Sequence, residues 1–487
     1  MTFGVGTAQA APRAECQEDS VDFNGDGCAD IVVGDPGAAV SGTARAGRIN
    51  VVYGGEGDKV ALLSQGQAGV GDTPEADDGF GSVVRTLKVN ADKYTDLVVG
   101  VPSESVGTAD DAGAVHVIYG SAAGLGGGQA ALVLRQGAGG IAGTPKAGDR
   151  FGAALGVNRT TDRDEGMPSP GVAVGAPGVD VDGAADAGAA GVVHFDGETG
   201  GVAEAAMITQ NSPGISGGSE AGDRFGTAVD VYAGGSTNGV RGYTLAVGVP
   251  GEDLETTKDA GMVHVATSLS SDAPLTQETA GVAGTPETGD QFGAALSAAA
   301  YHEIDGPTSL RLAIGVPTED IGSVADAGMA YLFFTEDKDE VPLSQRWSVD
   351  QDIVGVADTA EAGDRFGSVL ELEGARHDTV GSLLVGLPNE DVGAAADAGA
   401  VHRFDPMAGA PATNNTLITQ SNYAGKPEAG DHFGAALSSR PEGSELVGAP
   451  DDVTHSQGAA HGFLRGVFVP GSDGVPAGAV RFGAAVA

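Results

Sequence analysis

The chain has 487 residues, 82 of them Gly and 23 Pro, and carries 67 acidic against 25 basic side chains for a formal net charge of −42. That charge argues against nucleic acid, since phosphate binding needs a basic face, and no apolar run reaches the length of a membrane-spanning helix. Apolar residues make up 41% of the chain; they come in short runs punctuated by Gly and Pro, the pattern of an all-β core rather than of a disordered chain.

At the N-terminus, "AQA" at 8–10 followed by Ala11 has the form of a signal-peptidase site. Residues 1–10 are therefore expected to be a signal-peptide remnant and 11–487 a single secreted domain. Cys16 and Cys28 are the two cysteines. In an oxidising compartment they are expected to form a disulfide, a short-loop closure worth about 3 kcal/mol in the chain-entropy model.

Next comes "DFNGDGCAD", residues 22–30. Asp22, Asn24, Asp26 and Asp30 present oxygens at positions 1, 3, 5 and 9 of this loop, Gly27 permits a sharp turn, and the Cys28 carbonyl offers another oxygen. Hard oxygen ligands at this alternate spacing suit a structural Ca²⁺; the structural alternative is an Asx-rich turn with no ion. The corresponding loop of the next unit keeps Asn90, Asp92 and Asp96 but has Lys88 in first place, so one good calcium site is expected.

From there the chain repeats. Phe-Gly followed by small residues recurs at Phe80, Phe151, Phe225, Phe292, Phe366, Phe433 and Phe482. A Gly-x-Pro element closing an apolar run recurs as "VVGDP" 32–36, "VVGVP" 98–102, "AVGAP" 173–177, "AVGVP" 246–250, "AIGVP" 313–317, "LVGLP" 384–388 and "LVGAP" 446–450. Each unit reads as four short strands; in the second unit these are 80–87, 96–102, 113–120 and 130–136. Seven four-stranded antiparallel blades make a β-propeller. The two series are out of phase, because Gly-x-Pro precedes the first Phe-Gly and "RFGAAVA" at 481–487 follows the last Gly-x-Pro. This predicts a ring in which the C-terminal strand is the innermost strand of the N-terminal blade, which removes an unpaired sheet edge.

"FG…VGAP…GAVHV" over about residues 20–487 resembles the FG-GAP family, the repeats of the integrin α-subunit propeller. The resemblance implies a seven-bladed propeller with a ligand-binding face, and the 22–30 loop is similar to the calcium-binding hairpin loops of those propellers. It names no ligand, because one fold hosts many functions.

Two acidic series accompany the repeat. Asp149, Asp223, Asp290, Asp364 and Asp431 each stand two residues before Phe, and Asp111, Asp186, Asp259, Asp326 and Asp397 begin a "DAG" triplet after Gly-x-Pro. Both loops belong on one face, which is expected to be strongly acidic. Repetition favours turn-shaping roles over catalysis. The same reasoning gives hydrogen-bonding roles to His116, His194, His264, His402 and His461, with Asn50 and Tyr331 in the equivalent place, and to Gln65, Gln136, Gln210, Gln277, Gln345 and Gln420. Departures cluster where units one and seven meet. Arg45 replaces the DAG Asp of the first unit and Ser456 that of the seventh, Val480 stands two before Phe482, and Arg48, Arg481 and His455 are nearby in the pattern. Arg45, Arg48, Arg481 and His455 are therefore the candidate contacts for an anionic or neutral ligand.

Walker, HExxH and CxxC motifs are absent. The leading expectation is a secreted, non-enzymatic binding or scaffold module that recognises an extracellular glycan or protein. The alternative is a polysaccharide-active hydrolase or lyase using pairs such as Glu252–Asp253, Glu319–Asp320 and Glu390–Asp391, although those pairs recur per blade whereas a glycosidase needs one unique pair.

Overall fold

A computed structural model describes residue 16 and residues 21–487, apart from 56–58, 159–170, 238–239, 303–307, 336–342, 374–380, 424, 440–444, 453, 456, 463–465, 472–474 and 476–479. The proposed signal remnant and Ser456 lie outside the described residues. Seven antiparallel sheets follow one another along the chain. Six have four strands, ordered by sequence across the sheet, and the first has three from Ile31 to Leu63. In the second unit the strands are Val83–Leu87, Asp96–Val101, Ala114–Ile118 and Leu132–Leu134, each inside its expected range. Asp96–Val101 and Ala114–Ile118 are buried end to end while Leu132–Leu134 is half-exposed. The middle strands of a blade are covered on both faces by neighbouring blades, so they read as continuous apolar runs rather than alternating ones.

The three-stranded first sheet gains its fourth strand from the far end of the chain. Val32 N–H donates to Ala487 O at 2.9 Å, Ala487 N–H to Val32 O at 3.1 Å, Gly34 N–H to Ala485 O at 2.8 Å and Gly483 N–H to Gly34 O at 3.0 Å. Val33 and Val486 are antiparallel bridge partners. A side-chain clamp adds to this closure. Asp35, fully buried, accepts the N–H of Val480 at 2.9 Å through Oδ1 and holds Arg48 in an ion-pair contact of 3.1 Å through Oδ2. The protein is thus a seven-bladed propeller closed as expected.

Two backbone contacts repeat at the seams between blades. The N–H of six of the repeat Phe residues donates to the Ala carbonyl at the DAG position of the preceding unit, from Phe80 to Ala46 (2.9 Å) through Phe433 to Ala398 (3.0 Å). At the closing seam Phe482 N–H donates to Gln457 O instead, at 2.9 Å. All seven Phe rings are fully buried. The Gly of Gly-x-Pro meets the carbonyl of the next unit's Phe-Gly glycine so closely that a Cβ on Gly34, Gly100, Gly175, Gly248, Gly315, Gly386 or Gly448 would lie 2.0–2.3 Å from that oxygen. No side chain fits there. Gly248→Ala is therefore expected to lower stability in urea unfolding by about 1–3 kcal/mol. Gly197→Ala, where an added Cβ meets nothing within 4 Å, is expected to stay within about 0.5 kcal/mol; equal losses in the two variants would refute the contact.

Candidate functional site

The 22–30 loop is wound on its own carboxylates. Asp22 accepts N–H groups from Gly25 (2.6 Å), Asp26 (3.2 Å) and Gly27 (2.8 Å); Asn24 Oδ1 accepts Asp26 N–H at 2.9 Å, and Asp26 Oδ1 accepts Cys28 N–H at 2.8 Å. Cys16 and Cys28 are disulfide-bonded, which ties the loop to the preceding chain. Asp30 is fully buried and directs both oxygens at backbone, one to Phe23 N–H (2.7 Å) and one to Gly54 N–H (2.8 Å). Asp96 repeats this in the next unit, accepting from Val89 N–H and Gly120 N–H at 2.8 and 2.9 Å. Burial pushes both carboxyls up to about 7. The ninth-position Asp therefore pins loop to blade in a unit that lacks the first acid as well as in the one that has it.

Among the described residues no three His, Cys, Asp or Glu side chains converge as a metal-ligand group. The oxygens a calcium ion would use here are those of Asp22, Asn24 and Asp26 with the Cys28 carbonyl, all hard donors, and Asp30 only beyond its two N–H bonds. Lys93 Nζ donates to the Gly25 carbonyl at 2.7 Å on the same loop. The chemistry of the donor set fits calcium; the hydrogen bonding equally fits an Asx turn.

The two acidic series separate in space. Asp149, Asp223, Asp290, Asp364 and Asp431 are buried, and each accepts an N–H from three residues upstream, as from Lys146 to Asp149 at 2.8 Å. Asp78 does the same with Glu75 N–H and belongs to the series, although "DDGF" hides the motif. The DAG acids are exposed and take left-handed φ values of 50–53°. Asp180, Asp253, Asp320 and Asp391 accept the N–H of the DAG Asp six residues on, at 2.8–3.2 Å. Only the second series thus contributes to an acidic face, because the first is used up in turns.

Two expected equivalences fail. His116, His264, His402, His461, Tyr331 and Asn50 share one register place, opposite the residue before the Gly-x-Pro glycine. In the third blade Gly191 fills that place, opposite Val174. His194 lies three residues further along the strand and packs on Tyr243 at 4.4 Å between ring centroids. The register-matched rings pack on the Phe of their own unit, for example His461 on Phe433 at 5.2 Å, and burial pulls the His402 and His461 imidazoles down to about 4. Likewise Gln351, not Gln345, is the fifth unit's seam glutamine, donating to Glu390 at 2.7 Å. Gln345 accepts Ala283 N–H at 2.7 Å from the outer strand.

At the closure, Arg45, Arg48, Arg481 and His455 each have an acidic partner. Arg45 pairs with Asp77, Arg48 with Asp35, Arg481 with Asp451 at 3.8 Å, and His455 Nδ1 with Asp452 at 3.1 Å. The sector therefore keeps acids of its own. Arg45 and Arg481 remain exposed, at 66% and 58% of their side chains, while Arg48 is at 13%.

Residues 214–218 spell Gly-Ile-Ser-Gly-Gly, the letter pattern of a nucleophile elbow, but they form a loop rather than a strand–turn–helix. Asp272 lies between the other two groups, accepting from Ser216 Oγ at 2.5 Å and bonding His264 Nδ1 at 2.8 Å. His264 Nε2 has no partner, so the imidazole does not activate the hydroxyl.

The FG-GAP repeat model matches residues 18–52 and 80–118. Those two stretches carry FG-GAP repeats. The chain is 37% identical over 103 residues to mouse phosphatidylinositol-glycan-specific phospholipase D, and 33% identical over 105 residues to the human protein of that name. The matches cover 21% of this chain and 12% of each relative, so they span a small part of the relatives' length. A Pseudomonas aeruginosa periplasmic gluconolactonase, PpgL, aligns over 94% of this chain and 96% of its own at 14% identity and a TM-score of 0.43. Sqt1 of Saccharomyces cerevisiae aligns over 83% and 76% at 13% identity and a TM-score of 0.38.

Asp30→Ala and Asp96→Ala each strand two buried N–H groups and are expected to destabilise the propeller by about 1–3 kcal/mol per group. The measurement is urea unfolding in chelator-containing buffer. An Asp30→Ala loss that appears only when calcium is added would show a ligand rather than a pin.

Proposed function

We propose that this FG-GAP propeller is an extracellular binding module that recognises a glycan or a protein partner and is stabilised by calcium. The observation that carries this reading is how the repeated acids are used. Glu252, Glu319 and Glu390 bond to seam glutamines, and Asp253, Asp320 and Asp391 hold turns. A hydrolase or lyase would need one carboxylate pair set apart from the repeat; these pairs are alike from blade to blade. The Cys16–Cys28 disulfide supports an oxidising compartment. Among the described residues no helix is long and apolar enough to cross a membrane.

Calcium would be held by Asp22, Asn24, Asp26, the Cys28 carbonyl and Asp30, and would supply positive charge to a loop that has three carboxylates and sits beside the ring closure. A site with Kd near ~10⁻⁴ M would add about 1.4 kcal/mol at millimolar calcium. Arg45 and Arg481 are the cations placed to meet an anionic or neutral ligand on the exposed rim; Arg48 serves the closure.

Glycan-array binding with and without chelator tests the reading. Binding that weakens in chelator and yields no product is the expected result, and release of a shortened glycan would establish the enzyme instead. For a ligand so found, the charge swaps Arg45→Glu and Arg481→Glu are expected to weaken binding about 10-fold or more. Unchanged affinity would remove that sector from the site. Calorimetric titration with Ca²⁺ alone checks the ion, and the absence of both heat and thermal stabilisation would remove it.

A further inference from the structure

At five seams a glutamine at the outer end of one blade reaches the second residue after the next unit's Gly-x-Pro. Gln65 Nε2 donates to Glu104 at 2.5 Å, Gln210 to Glu252 at 2.6 Å, Gln277 to Glu319 and Gln351 to Glu390 at 2.7 Å, and Gln420 to Asp452 at 3.2 Å. The five glutamines are 1–4% exposed. In every one the other amide atom, Oε1, is buried with no hydrogen-bond partner. The amide cannot be turned to cure this, because the rotation would set its oxygen against the carboxylate. Native interiors rarely repeat such an orphan acceptor.

The groups facing these glutamates are mostly acids. Glu104 faces Asp72 and Asp78, with Arg135 paired to Asp72. Glu319 faces Asp290, Glu287 and Asp320, and Gln277 also contacts Tyr331. Glu390 faces Asp364 and is within side-chain hydrogen-bonding reach of Asp358. Glu252 faces Asp223 and Glu220, with His264 also near. At the sixth seam Asp452 has His455 and His461 beside it rather than further acids. Val179 and Ala38 occupy the acid's position in units three and one. At the seam with unit three, Gln136 of the second unit, its amide assigned by its surroundings, turns to Asp149 at 2.6 Å.

A neutral carboxylic acid satisfies both halves of a primary amide, accepting from Nε2 through its carbonyl oxygen and donating its O–H to Oε1. We propose that Glu104, Glu319 and Glu390 are held protonated in two-bond rings with Gln65, Gln277 and Gln351, making the blade seams proton-dependent locks that tighten as pH falls. Burial works in the same direction, pushing Glu104 and Glu390 up to about 8 and Glu319 to about 7 from an ordinary 4.5. These folded-state values lie above the unfolded one, so the stabilisation is complete below about pH 4.5 and is lost as pH rises through about 7 to 8. Ionisation then places a second negative charge against the acids of the same seam.

The test uses the whole chain. Infrared difference spectra of the wild type minus each of Glu104→Gln, Glu319→Gln and Glu390→Gln, taken at about pH 6 and about pH 9, read the carboxylic-acid C=O band directly. The expected result is a band in each difference at the lower pH that is absent at the higher. Differences showing only ionised carboxylate at both pH values overturn the proposal. Should the variants not fold, wild-type unfolding in urea at about pH 6.5 is expected to release about three protons more than the roughly two that Asp30 and Asp96 give up, measured with a pH indicator and allowing for uptake by His402 and His461. Release of no more than that background overturns it equally. Calcium and glycan binding play no part in the infrared readout.

Discussion

The ring depends on how near two backbones can come. At each of the seven seams the Gly of Gly-x-Pro lies under the carbonyl of the next unit's Phe-Gly, closer than any Cβ allows. This contact sets the spacing of the inner strands. The neighbouring Phe N–H bond to the preceding unit, made to DAG alanine carbonyls wherever that triplet is intact, fixes their register. Interiors packed at this density transmit a misfit rather than absorb it, and in a closed ring an error in one seam is passed to the next. The closing seam obeys the same geometry, with Gly448 against Gly483. The circle is therefore shut by the same contact that builds it.

With the backbone so placed, most of the recurrent polar residues are structural. The acids before Phe fold their own turns, the ninth-position Asp of the first two loops pins each to its blade, and the seam glutamines join blade to blade. Acidity that a composition summary reads as surface charge is thus partly interior. The exposed acids include the DAG series and most of its upstream partners. A propeller that buries this much carboxylate gains well-defined seams at the cost of sensitivity to protonation. Binding, in this reading, belongs to the loops that the repeat leaves free to vary.

Departures from the repeat are where structural and functional explanations compete. Arg48 looks like a rim cation in the sequence, yet it lies beside Asp35, which also holds Val480. Arg45 and Arg481 remain on the surface. His194 shows the opposite confusion, because a histidine close to the right place in the string sits three residues from it in the sheet, and a glycine stands where the ring would pack.

Blade number, strand order and closure were legible in the sequence because they rest on periodicity, and a repeat with two out-of-phase markers has few ways to close. The second unit's strands and the Cys16–Cys28 pairing were legible for the same kind of reason, being local in the chain. Which acids are buried, which glutamine meets the seam, and which cations are already paired were decided only by tertiary structure. Many of the contacts that decide them join residues distant in the chain, such as Gln65 and Glu104 at a separation of 39 or Val480 and Asp35 at 445. A spacing in the sequence states what a residue can reach along its own strand, whereas its burial and partners are set by the adjoining blade.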